Sequence, residues 1–284
     1  MTLGAVLLQG ARQLRDSPDA DAASARLDAE LLLAHALGIS RGQLIARDNT
    51  PLPGPDALQR YQGLLARRAT GEPLAYILGR REFWSQDLVI TPDVLVPRAE
   101  TELLVERALA LRSSAAGRVA DLGTGSGAIA LALAGERPQW DVLATDLSGA
   151  ALAVARANAL RLGLPRIEFR WGSWYEPLGM QRFDLLISNP PYVAADDPAL
   201  CGATLAHEPR AALTPGADAL TCLRVLAHGA PAHLEPGGWL LLEHGAQQGA
   251  QVRHELVLAG FSYVRSHRDL ARHERVTEGQ HGHI

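Results

Sequence analysis

Arg118-Val119-Ala120-Asp121-Leu122-Gly123-Thr124-Gly125-Ser126-Gly127, running on into an alanine-rich stretch over 128–134, decides the fold of this chain. The segment reads as a short strand, a glycine loop and a helix in immediate succession. Glycines at 123, 125 and 127 let the backbone take positive φ and approach a ligand closely. The spacing is G-x-G-x-G, without the G-x-G-x-x-G that cradles a pyrophosphate. By itself such a loop is weak evidence of binding, since α/β domains also turn this way for purely steric reasons. Its partner is Asp146, at the end of the next strand, Val142-Leu143-Ala144-Thr145. An acid there is placed to bind both ribose hydroxyls of a nucleoside. It is equally read as an acid near a helix N-terminus, with Ser148 as the cap.

Outward from this unit, strands and helices alternate from Thr101 to about residue 260, the pattern of a doubly wound α/β sheet that is mostly parallel. Seven strands are expected, near 118–121, 141–145, 167–170, 184–188, 239–243, 262–266 and 274–277. The polar tail after Val276 is expected to fray. Residues 1–78 read as a small helical domain. Leu27, Leu31 and Leu32 lie on one face of a helix that Gly38 stops, and a second helix runs from Asp56 to Ala69 after Pro51, Pro53, Gly54 and Pro55. Residues 79–97 read as a linking β-hairpin broken by Pro92, and 98–284 as the second domain.

The second chemical signal is Ser188-Asn189-Pro190-Pro191-Tyr192, directly after the buried run Leu185-Leu186-Ile187. It lies at the carboxyl edge of the sheet, where open α/β folds bind ligands. Pro190 and Pro191 each fix φ near −65° and push the preceding residue out of the helical region. The Asn189 side-chain carbonyl and the Pro190 backbone carbonyl can then face one point as paired acceptors, a fit for an NH2 group. Tyr192 can close over the planar group that carries it. A Pro-Pro turn without chemistry is the bland alternative. Glycine loop, Asp146 and this hook together point to a nucleoside cofactor lacking a pyrophosphate, S-adenosylmethionine, held beside a planar nitrogen. Asp121 either reaches the cofactor's amino group through the loop or holds the loop shut.

Composition bounds the classes. The chain has 284 residues, 47% of them hydrophobic, and a net charge of −4; with a pI near 6.2 this argues against a dedicated nucleic-acid binder. No apolar run approaches the roughly 20 residues that span a bilayer, and Asp16, Asp19, Asp21 and Asp28 suit neither a secretory signal nor a transit peptide. Cys201 and Cys222 are the only cysteines, too few for a disulfide framework, and they read as reduced structural thiols. His281 and His283 read as solvated. No cluster has metal-ligand spacing.

From Leu27 to Glu278 the chain closely resembles the bacterial HemK/PrmC-type enzymes, which methylate a glutamine side-chain nitrogen in peptide-chain release factors. The resemblance rests on Leu27-Asp28-Ala29-Glu30-Leu31-Leu32-Leu33, Gly71-Glu72-Pro73-Leu74, Arg81-Glu82-Phe83-Trp84, Pro97-Arg98 with Thr101-Glu102, the glycine loop, Asn189-Pro190-Pro191-Tyr192, Leu242-Glu243-His244-Gly245 and Glu274-Arg275-Val276. The Asn-Pro-Pro-Tyr tetrad is shared with adenine methyltransferases; the amino-terminal motifs are more selective.

The resemblance implies a seven-stranded class I methyltransferase sheet and S-adenosylmethionine as cofactor. It implies class-one release factors, at their Gly-Gly-Gln loop, as substrate, with an effect on translation termination. It implies a cytoplasmic enzyme, expected to be a monomer without nucleic-acid or membrane partners, whose amino-terminal helices recognise the protein substrate. Catalytic residues are then Asn189, Pro190 and Tyr192. Cofactor contacts are Asp121, Gly123, Thr124, Gly125, Ser126, Gly127, Asp146, Trp174 and Asn189. The substrate meets Asn189, Pro190, Pro191 and Tyr192, and no metal is expected. Trp174 is otherwise ordinary core. Three positions depart from the family pattern: Ala99 stands where proline is common, Ser173 where an acid is frequent, and His273 where a small polar residue is usual. Ser173 puts an adenine amino-group contact there in doubt. An adenine-N6 DNA methyltransferase using the same hook on a flipped base, and a cofactor-binding protein without catalysis, are the competing classes.

Overall fold

The computed structural model describes residues 1–17, 24–112 and 116–282. The chain forms two compact units, one of residues 1–79 with 201–207 and one of residues 80–200 with 208–284.

The first unit is helical: α1 (Leu3–Arg15), α2 (Ala25–Leu37), α3 (Arg41–Ile45), α4 (Pro55–Ala69) and α5 (Leu74–Leu78). Local chemistry sets their ends. Thr2 caps α1 by accepting from the Ala5 N–H. Ser40 and Gln43 form a reciprocal capping box on α3. Gly38 ends α2 at φ 67°, the left-handed conformation that glycine adopts without Cβ strain. The buried face of α2 differs from the expected one. Ala25, Ala29, Leu32, Leu33 and Ala36 are buried, whereas Leu27 is 42% exposed. The reason is that α2 packs against both α1 and α4, so two faces are covered and Leu27 falls on the remaining one. This burial also encloses Asp28 and Glu30, and each is ion-paired: Asp28 with Arg68, Glu30 with Arg26 and Arg41.

The second unit opens with a hairpin, β1 (Arg80–Phe83) and β2 (Gln86–Val89), shorter than expected and complete before Pro92. Its two-residue turn, Trp84-Ser85, has φ of 50° and 56°, a conformation normally given to Asn-Gly. The turn is held from outside: the Trp84 N–H donates to Glu102 Oε1 at 2.9 Å and its indole N–H to Glu136 Oε1 at 2.9 Å.

The remaining elements are α6 (Glu102–Leu111), β3 (Arg118–Leu122), α7 (Ala128–Glu136), β4 (Asp141–Asp146), α8 (Gly149–Arg161), β5 (Glu168–Trp171) and β6 (Phe183–Ser188). After them come α9 (Ala203–Ala206, in the first unit), α10 (Arg210–Leu213), α11 (Thr221–Gly229), β7 (Leu234–Glu243), α12 (Gly249–Leu258), β8 (Phe261–Arg268) and β9 (Glu274–His281). The expected seven strands form one sheet, in the order β5-β4-β3-β6-β7-β9-β8. Pairing is parallel from β5 through β7 and antiparallel for β7–β9 and β9–β8. Central strands are covered on both faces, as all-parallel strands require: Val119 to Leu122 and Leu185 to Ser188 are buried throughout. The apolar helix α7 is buried on every side from Ala128 to Ala134.

As far as residue 282 the tail does not fray. β9 continues to His281, with Thr277 and Glu278 fully buried. Glu278 is held by Arg107, Arg265 and His267, so a polar stretch becomes an interior strand because its charge is neutralised there. His281 stands opposite Phe261 and meets its ring edge-on, half-buried rather than solvated; His283 lies outside the described residues. Cys201 is exposed and Cys222 partly buried. Among the described residues no helix is long and apolar enough to cross a membrane.

Candidate active site

From β3 the chain winds one way across the sheet, to β4 and β5; from β6 it winds the other way, to β7. The carboxyl ends of β3 and β6 are thus neighbours at a topological switch point, where connecting loops diverge and leave a crevice. Asp121 pairs with Ile187 in register, so the glycine loop and the Asn-Pro-Pro-Tyr segment emerge side by side.

The loop is held by its own sequence. Asp121 is fully buried beneath it and accepts from the Thr124 hydroxyl at 2.6 Å and the Ala130 N–H at 3.3 Å. Burial, opposed by these two bonds, pushes its pKa up to about 7. The Gly123 and Thr124 N–H groups both donate to the Thr145 carbonyl. Asp146 completes the frame: its Oδ2 accepts from the Gly125 N–H and its Oδ1 from the Ser148 N–H, each at 2.8 Å. Burial raises the Asp146 pKa against these bonds. Ser148, as expected, caps α8 through the Ala151 N–H.

Gly123, Thr124, Gly125, Ser126 and Asp146 line a cavity of about 560 Å³ together with Trp174, Asn189 and Pro191. At Gly125, φ 56°, an added Cβ would meet no protein atom within 4 Å, so the space above the loop is open for a ligand. Gly127 does not line the cavity; a Cβ there would lie 3.0 Å from Leu131 and 3.2 Å from Ala155. Its glycine allows the close packing of α8. Asp121 is also absent from the lining, and its bonds to Thr124 and Ala130 brace the loop from below. Trp174, at φ 41°, sets its ring 3.5 Å from the position of a Gly123 Cβ. Ser173 lines the wall beside it, its N–H turned to Glu176 Oε2 at 3.2 Å.

In the hook, Asn189 Nδ2 donates to Thr101 Oγ1 at 3.2 Å. That leaves Oδ1 as the free end of a side chain lining the cavity. Pro190 and Tyr192 do not line it. Tyr192 is tethered away: its hydroxyl donates to Glu243 Oε1 at 3.1 Å, and its carbonyl accepts from Gln248 Nε2 at 2.9 Å. Burial and the nearby Glu243 charge raise the phenol's pKa, keeping it protonated.

Several wall residues escaped the sequence reading. Val193 and Ala195 bond to Leu213 and Gly216, which brings Ala212, Thr214 and Pro215 to the cavity. Arg98 lines it too, ion-paired with the buried Glu208, which also accepts from the Val96 N–H. The Pro97-Arg98 and Thr101-Glu102 motifs were the available signal; nothing at 208–215 announces its destination. Among the described residues no cluster of three metal-ligating side chains occurs.

The PrmC N-terminal domain family matches residues 5–79 and the methyltransferase small domain family residues 99–224. The chain is 54% identical over 256 residues to the release factor glutamine methyltransferase of Xylella fastidiosa (strain Temecula1), spanning 90% of this chain and 93% of that one. The Bordetella pertussis protein of the same name is 51% identical over 263 residues, 92% and 96% of the two chains. That of Pseudomonas aeruginosa is 48% identical over 267 residues, 94% and 96%. Among solved structures, the hMettl16 catalytic domain bound to a 3′UTR hairpin superposes with a TM-score of 0.59 at 19% identity, over 76% of this chain and 81% of that one. The Thermus thermophilus 16S rRNA N2 G1207 methyltransferase, solved with AdoMet and guanosine, gives 0.51 at 18% identity, over 71% and 49%. At such identities the likeness is one of fold.

Proposed function

The chain belongs to the release factor glutamine methyltransferase family, and on that premise we propose that it methylates the side-chain amide nitrogen of the glutamine in the Gly-Gly-Gln loop of class-one peptide-chain release factors, with S-adenosylmethionine as methyl donor. The observation that carries this reading is the disposition of Asn189. Its NH2 is engaged by Thr101, which leaves its carbonyl oxygen available to the cavity that Asn189, the glycine loop and Asp146 line.

The residues present fit the donor. Asp146 already accepts the Gly125 and Ser148 N–H groups, with the Leu147 N–H also acting on it, and its two oxygens retain acceptor capacity for a ribose hydroxyl. Open space lies over Gly125, and Trp174 offers an aromatic wall. S-adenosylmethionine supplies a sulfonium methyl, whose C–S bonding pair returns to sulfur as the N–C bond forms.

An amide nitrogen is a poor nucleophile, because its lone pair is delocalised into the carbonyl. Asn189 Oδ1, and the Pro190 carbonyl where the substrate amide reaches past the cavity lining to it, accept the N–H protons and stabilise positive charge as it develops on nitrogen. They also hold the nitrogen in line with the methyl, and such alignment can supply about 7–11 kcal/mol of the barrier. The nitrogen loses its proton to water after transfer; no general base is required. In this reading residues 1–78 form the domain that recognises the release factor, 79–97 the linking hairpin and 98–284 the catalytic domain. The protein acts in the cytoplasm as a monomer and touches no nucleic acid.

The test is transfer of labelled methyl from S-adenosylmethionine to a purified class-one release factor, with a Gln-to-Ala change in its Gly-Gly-Gln loop and duplex DNA as controls. Label on the unaltered factor alone is expected. Label on the altered factor would move the target elsewhere on the protein, and label on DNA would replace this reading with the adenine enzyme.

A further inference from the structure

Glu243 closes β7 at the switch-point edge of the sheet, 1% exposed. Its Oε1 accepts from Tyr192, while Oε2 is enclosed without a hydrogen bond of ordinary geometry. Among the described residues it makes no ion pair within 4 Å, unlike the buried Glu30, Glu208 and Glu278. An unpaired buried carboxylate is costly, and an apolar residue at the end of a central strand would be cheaper. The Thr101 hydroxyl lies against this carboxylate, and Thr101 is 4% exposed. The same oxygen of Thr101 accepts from Asn189 Nδ2.

A hydroxyl has one proton to give, and a carboxylate can only accept. Were its proton given to Glu243, Thr101 could offer Asn189 nothing but a lone pair, and only the Nδ2 end of the carboxamide suits a lone pair. We propose that Glu243 is a positioning residue for methyl transfer: it fixes the Thr101 hydroxyl, which fixes the Asn189 carboxamide with Oδ1 toward the cavity. This rests on the reading of Asn189 Oδ1 as an acceptor for the substrate amine. Without Glu243, Thr101 can turn its proton to Asn189, and the carboxamide can rotate to present NH2 to another NH2.

The same geometry gives the relay a pH dependence. Burial raises the Glu243 pKa to about 7, the Thr101 and Tyr192 hydroxyls and Arg275 pull it down, and Glu100 pushes it up. The neighbouring His244 turns away to Thr277 and Gly245. As pH falls through about 7, Glu243 gains a proton that it can donate to Thr101, and the orientation of Asn189 is lost. Turnover therefore has an acid limb there. Asp121 has its pKa pushed to a similar value under the glycine loop; its titration would act on cofactor affinity, so kcat and the cofactor KM must be read separately.

The experiment measures kcat and the S-adenosylmethionine KM from pH 5.5 to 9 for wild type, Glu243→Gln, Thr101→Val, Thr101→Ser and Asn189→Ala. Losing the orienting bond should lower kcat about 10–100-fold in Glu243→Gln and Thr101→Val, with the cofactor KM within about threefold. Glu243→Gln should also lose the acid limb, and Thr101→Ser should recover most of the turnover lost in Thr101→Val. If both Glu243→Gln and Thr101→Val stay within about threefold of wild-type kcat while Asn189→Ala is impaired, the relay is wrong and the hook stands. If Asn189→Ala itself keeps wild-type turnover, the hook reading fails and the relay with it. Should Glu243→Gln not fold, the Thr101 pair decides by the same criterion.

Discussion

At Asp146 the two carboxylate oxygens each take one backbone N–H, from Ser148 and from Gly125, and so join the start of α8 to the glycine loop. A ribose bound to their remaining lone pairs would gain charge-assisted bonds. Asp146→Ala should weaken S-adenosylmethionine binding about 10–100-fold, the worth of one or two such bonds, as read by titration calorimetry. Asp146→Asn, which keeps an acceptor, should fall between. Unchanged affinity in the alanine variant would remove the ribose role. The residue type and its place at a strand end were legible in the sequence. Its service to the Gly125 N–H was not, because that bond depends on how closely β3 and β4 pack.

Asn158 shows what one side chain does for whole elements. It is fully buried on α8. Its Oδ1 accepts from the Val89 N–H at 2.7 Å, and its Nδ2 donates to the Val89 and Ser126 carbonyls, each at 3.0 Å. The end of β2 is thus fixed to the glycine loop through a third element. Asn158→Ala would leave three backbone groups short of partners, at about 1–3 kcal/mol for each that stays dry. A total loss of ~3 kcal/mol is expected, visible as a lower urea midpoint at constant m. Cofactor affinity should weaken too, since Ser126 lines the cavity; an unchanged midpoint would contradict this account. In the sequence Asn158 is one polar residue in a helix and carries no signal. Apolar strands such as Leu185–Ile187 were legible because burial on both faces leaves no other pattern. The start of β7 was not, since Glu235-Pro236-Gly237-Gly238 reads as a turn. The structure carries the strand through it by a register shift between Phe183 and Leu185 of β6.

For the molecule as a whole, acid stability turns on the last strand. Burial alone would raise the Glu278 pKa, but His267, Arg107 and Arg265 outweigh it and lower the value from 4.5 to about 2. A carboxylate whose folded pKa is depressed stabilises the fold above its unfolded value. That stability is lost as pH falls from about 4.5 toward about 2. Glu278→Gln should cost on the order of 3 kcal/mol at pH 7 and flatten the decline of stability across that acid window. Urea unfolding at a series of pH values reads both effects, and a variant with the wild-type acid slope would exclude Glu278 as its source.

The sequence by itself determined the alternation of strands and helices, the glycine loop, the acid at the end of the next strand and the Pro-Pro hook, because each rests on local backbone chemistry or on burial periodicity. Tertiary structure alone decided that Thr101, Glu243 and Tyr192 meet behind Asn189 and that Asn158 bonds to Val89 and Ser126. It also decided that a polar tail becomes an interior strand. These contacts join residues from 32 positions apart in the chain, at Asn158 and Ser126, to 171 apart, at Arg107 and Glu278. Hydrogen-bond partners at such separations follow from the order of strands in the sheet, which no local pattern records.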